Sequence, residues 1–79
     1  MKDSKWIKTE QMLDDLRCDA YNEHQYAHWL GGILSTTHWI EFDSDKNMFG
    51  DSTDWSEYFW YTEAEFLERY AGQWWKREH

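Results

Sequence analysis

From Thr9 onward, apolar residues recur at helical spacing. Met12, Leu13, Leu16, Ala20, Ala27 and Leu30 fall within an arc of about 100° at 3.6 residues per turn, the stripe of an amphipathic helix. Glu23 lands inside that stripe and His24 on its border, so the pattern has a break around residues 18–22. Asp19 or Asn22 can cap a second helical piece there, and Gly31-Gly32 ends it. The period then changes to two. Thr36, His38, Ile40 and Phe42 alternate with Thr37, Trp39 and Glu41, which predicts a strand. The polar run over residues 43–54 predicts a loop. Beyond it, Trp55, Glu57, Phe59 and Tyr61 alternate with Ser56, Tyr58 and Trp60, which predicts a second strand paired antiparallel with the first, a helix from Asp54 onward being the main competing reading. Thr62-Glu63-Ala64-Glu65 is a capping box. The helix it opens places Phe66, Leu67, Tyr70, Ala71 and Trp74 on one face. Its acids stand at the positive end and Lys76 and Arg77 at the negative end, as the helix dipole favours. Gly72 on its polar side weakens it by about 1 kcal/mol.

The expected architecture is therefore α+β: one small domain of order α(α)-β-β-α, its antiparallel hairpin covered by helices. A lone hairpin is marginal in water, so either both helices cover one face of it or a second copy extends the sheet.

Composition constrains the core. With 79 residues there is one hydrophobic core to build, without valine or proline and with only eight large aliphatics. Sixteen aromatics, seven of them tryptophan, must supply most of the buried area. Cys18 is the single cysteine, which excludes an internal disulfide and fits a reducing, cytoplasmic location. No apolar run approaches the roughly 18 residues of a membrane span, and the first residues lack the apolar stretch of a signal peptide.

Charge is placed unevenly. Residues 41–68 hold nine acids and one base, Lys46, and this one segment carries the net −8 of the whole chain. A field of that sign repels nucleic acid and anionic lipid and speeds encounter with basic surfaces. Glu41, Asp43, Asp45, Asp51, Asp54 and Glu57 are the candidate contact acids, and Trp55, Tyr58 and Trp60 the candidate anchors among them. Carboxylates steer a basic protein into contact, and desolvated rings supply the contact energy. The competing reading is a solvated acidic surface that keeps the protein soluble.

Other chemistries leave weaker marks. Asp43, Asp45, Asn47 and Asp54 resemble positions one, three, five and twelve of an EF-hand calcium loop. Met48 stands where that loop needs glycine, and Asp54 is shorter than its bidentate glutamate. His24 and His28, four apart with Glu23 alongside, could share a zinc ion on a helix, but no glutamate sits between them as in HExxH. No phosphate loop, G-x-S-x-G, C-x-x-C or nucleophile–base pair stands out, so neither an enzyme nor a cofactor is expected.

In charge and size the chain looks like small acidic proteins of phages and mobile elements that disable nucleic-acid-handling enzymes. That likeness implies an inhibitor or adaptor acting on a basic protein surface, of the DNA-mimicking antirestriction or anti-CRISPR kind. It implies no direct contact with nucleic acid or membrane. A homodimer joined through exposed tryptophans is the alternative.

Overall fold

The computed structural model describes residues 6–20, 22–29 and 35–78. Its elements run β1 (Ile7–Lys8), α1 (Thr9–Cys18), β2 (His24–Trp29), β3 (Ser35–Asp43), β4 (Met48–Ser52), β5 (Phe59–Tyr61), α2 (Glu63–Arg69) and β6 (Trp74–Arg77). The strands form one six-stranded sheet of order β1-β6-β2-β3-β4-β5, antiparallel at every step. The expected α(α)-β-β-α order with a single hairpin is thus incorrect, and three segments account for the difference.

The first is β2, read from sequence as a second helical piece. α1 ends at Cys18, with Asp19 leaving the helical region at φ −132° and its carboxylate accepting from the Asn22 amide at 2.5 Å. In β2, His24, Tyr26 and His28 point to the buried side while Trp29 stays exposed. That alternation of rings was present in the sequence alongside the helical spacing of Ala20, Ala27 and Leu30. Pairing with β3 and β6 on either side decides between the two periods. Leu30 and the Gly31-Gly32 stop lie outside the described residues.

The second is the supposed loop over residues 43–54. Asp43 Oδ1 accepts from the Asp45 and Lys46 amides, and Asn47 takes a left-handed φ of 56°, which asparagine tolerates. The chain reverses within four residues and returns as β4 beside β3. The expected second strand shrinks to β5 and pairs with β4 instead of β3.

The third is the C-terminal helix. Its capping box is present: Thr62 Oγ1 accepts from the Glu65 amide, and Glu65 Oε1 accepts from the Thr62 amide at 2.8 Å. α2 nevertheless stops at Arg69. Gly72 adopts φ 71°, a conformation open to glycine and costly for other residues, and turns the chain into β6. β6 then slots between β1 and β2.

Both helices pack on one face of the sheet. Met12, Leu13 and Leu16 of α1 and Phe66 of α2 bury against Tyr26, Ile40, Phe42, Phe49 and Trp75. Tyr70 completes this cluster, in which aromatic rings outnumber aliphatic side chains, as the composition required. Each such side chain contributes about 1.5–3 kcal/mol by leaving water. Trp75 is wholly buried, whereas Trp29, Trp55 and Trp74 are exposed. Among the described residues, the opposite face of the sheet carries no helix.

Candidate functional site

Strand alternation sends Glu41, Asp43, Trp39 and Trp60 to the face without helices. Register places Glu41, Gly50 and Trp60 in one row across β3, β4 and β5. The β4–β5 connection folds over this face. The Trp55 indole reaches past β4 and β3 to donate to Glu23 Oε1 at 3.0 Å. Trp55 is 65 % exposed and held at φ 65°, a strained setting for so bulky a residue. Its amide donates to Ser52 Oγ, which fixes that turn. Asp54 caps the same turn, accepting from the Ser56 and Glu57 amides, and those backbone bonds hold its pKa down at about 2. Tyr58 stacks on Trp60 with centroids 6.1 Å apart, and Lys46 Nζ lies 4.9 Å from the Trp60 ring centre. Glu41 is half-buried. Burial first, then the nearby Glu23 and Asp43 carboxylates, push its pKa above the usual value.

The sequence-predicted residues divide accordingly. Glu41, Asp43, Trp55, Tyr58 and Trp60 gather on or beside this face. Asp45, at the β3–β4 turn, and Asp54 and Glu57, in the β4–β5 connection, are exposed. Asp51 does not belong with them: it is 5 % exposed and points into the helix-covered side. The acids of α2 also leave the group. Glu63 pairs with Arg17 of α1, Glu65 serves the cap, and the helix lies on the other side of the sheet. The acidic segment is therefore not one continuous patch. Glu23, which joins the group, was missed because residues 20–30 were read at helical spacing. Period two puts it opposite His24, Tyr26 and His28.

The helix-covered side holds a buried polar network instead. His38 Nδ1 lies 2.7 Å from Asp51 Oδ1, and the Tyr70 hydroxyl donates to Asp51 Oδ2 at 2.5 Å. Burial, then this bond, raises the Tyr70 pKa. Thr36 Oγ1 stands 3.1 Å from His38 Nε2, so hydroxyl, imidazole and carboxylate fall in line. A hollow of about 450 Å³ lies elsewhere, lined by Tyr61, Glu65, Glu68 and Arg69, and includes none of the three. The line ties β3 and β4 to the end of α2.

His24 and His28 sit on a strand, both buried and separately engaged. His28 Nε2 bonds Gln73, and its ring stacks on Trp75 at 4.2 Å. His24 Nδ1 accepts from Arg77, and its Nε2 is 2.8 Å from Asp19 Oδ2 but off the hydrogen-bonding direction. Among the described residues no three His, Cys, Asp or Glu side chains group as metal ligands, and no helix is long and apolar enough to cross a membrane.

No family model, curated protein or solved structure matches the chain.

Proposed function

We propose that this protein acts by binding a basic protein surface through the helix-free face of its sheet, and that it is not an enzyme. One observation carries the reading. Glu23, Glu41 and Asp43 crowd together on that face beside Trp39, Trp55 and Trp60, and burial followed by the two neighbouring carboxylates raises the pKa of Glu41. Such a group sets three acids against one base, Lys46. A partner presenting arginine and lysine relieves the repulsion, and the rings desolvate the contact. A strained, solvent-facing Trp55 fits the same purpose, since conformational strain of this kind collects at binding sites.

A surface rich in arginine and lysine is what nucleic-acid-handling enzymes present to phosphates. Occupying it would make the protein an inhibitor or adaptor in the reducing cytoplasm. The contact is narrower than the whole acidic segment: Glu23, Glu41, Asp43, Asp45, Asp54 and Glu57 contribute charge, and Asp51 does not.

The test is titration of the full chain with an arginine-rich peptide, followed by tryptophan fluorescence at low and high salt. The triple variant Glu23→Lys, Glu41→Lys, Asp43→Lys should bind at least about tenfold more weakly and show a flatter salt dependence. A folded triple variant that binds like the parent would refute the proposal.

A further inference from the structure

Resting on that reading of the helix-free face, we infer that the outer face of Trp60 is the subsite for a partner's arginine guanidinium, and that Lys46 occupies it in the free protein. Gly50 makes the platform. A Cβ there would lie 2.9 Å from two atoms of the Trp60 ring and 3.1 Å from Tyr58 Cδ2. Only glycine lets both rings settle against the β4 backbone, with their outer faces left for a cation.

A cation is already present. Lys46 Nζ lies over Trp60 and 4.0 Å from Asp43 Oδ2. Its side chain is 58 % exposed, so it is lightly held and free to leave. Glu41 stands across from Gly50 on β3, on the flank of the same platform. Arginine suits this arrangement better than lysine: the flat guanidinium stacks on an indole while its fork pairs with a carboxylate.

Two other lysines cover tryptophans, Lys8 on Trp74 and Lys76 on Trp6. Lys8 therefore controls for the loss of one positive charge away from the platform.

The experiment is calorimetric titration of the full chain and its variants with hexaarginine and hexalysine peptides, with folding checked by circular dichroism. Removing an internal competitor raises apparent affinity by the inverse of the open fraction, so Lys46→Gln should bind hexaarginine about fivefold more tightly. Lys8→Gln, with the same change in charge, should gain less than about twofold. Adding Trp60→Leu to Lys46→Gln should bring hexaarginine down to the affinity of hexalysine. If Lys46→Gln gains no more than Lys8→Gln, or binds more weakly than the parent, or if Trp60→Leu leaves the arginine preference intact, the subsite is wrong while the binding face stands. If the parent chain binds neither peptide at low salt, the face itself is wrong.

Discussion

Two carboxylates in adjacent rows of the sheet, Glu41 on β3 and Asp51 on β4, point to opposite faces and do different work. Glu41 meets Glu23 and Asp43. Asp51 meets only donors, the His38 ring and the Tyr70 hydroxyl. Asp51→Asn would keep one acceptor oxygen and turn an amide donor toward one of those groups. It should destabilise the protein by about 2–3 kcal/mol, seen as a lower urea midpoint at unchanged slope. Glu41→Gln should leave the midpoint equal or higher, because it relieves crowding. If Asp51→Asn proved neutral, the network would not be holding β3, β4 and α2 together.

At the scale of elements, what could be read from sequence followed from how local each cause was. The capping box of α2, the apolar stripe of α1 and the two faces of β3 depend on neighbours within a few residues, and all three are present. β2 could not be read this way, because His24, Tyr26 and His28 and the spacing of Ala20 with Ala27 support different periods. Partners distant in sequence, β3 and β6, choose between them. Gly72 was legible as a helix-weakening residue but not as the helix stop, since its left-handed φ serves a strand that pairs with β1 and β2. Gly72→Ala should cost about 1 kcal/mol through that backbone conformation alone, as no atom lies near enough to crowd the added methyl. Thermal unfolding would measure it, and no loss would mean the turn relaxes. The candidate site shared these limits. Its charge and rings were visible, but placing Asp51 in the interior needed the register of β4, whose polar residues predict a loop.

For the whole molecule, one buried histidine, His28, sets a dependence on pH. His28 packs against His38, Tyr70 and Trp75, with Gln73 on its Nε2 and Asp51 beyond. Burial outweighs the Gln73 bond and lowers its pKa below the ordinary 6.5. The unfolded chain therefore binds this proton more readily than the folded one, and stability falls as pH drops below about 6.5. Glu41, with its pKa raised, acts in the opposite direction closer to pH 4.5. Urea midpoints measured from pH 7.5 to 5.5 should decline for the parent and decline less for His28→Phe, which keeps the stacking ring without the titration. Equal slopes would assign the effect to another group.

The position of β6 also governs how the chain can assemble. Among the described residues β1 pairs only with β6, and the Thr9 hydroxyl donates to the carbonyl of Tyr70 and accepts from the Trp75 indole. On a ribosome, β2, β3 and β4 can zip together as they emerge, while β1 waits without its pairing strand until β6 has been made. Until β6 arrives, the half-built sheet exposes the flank of β2 to any other strand nearby.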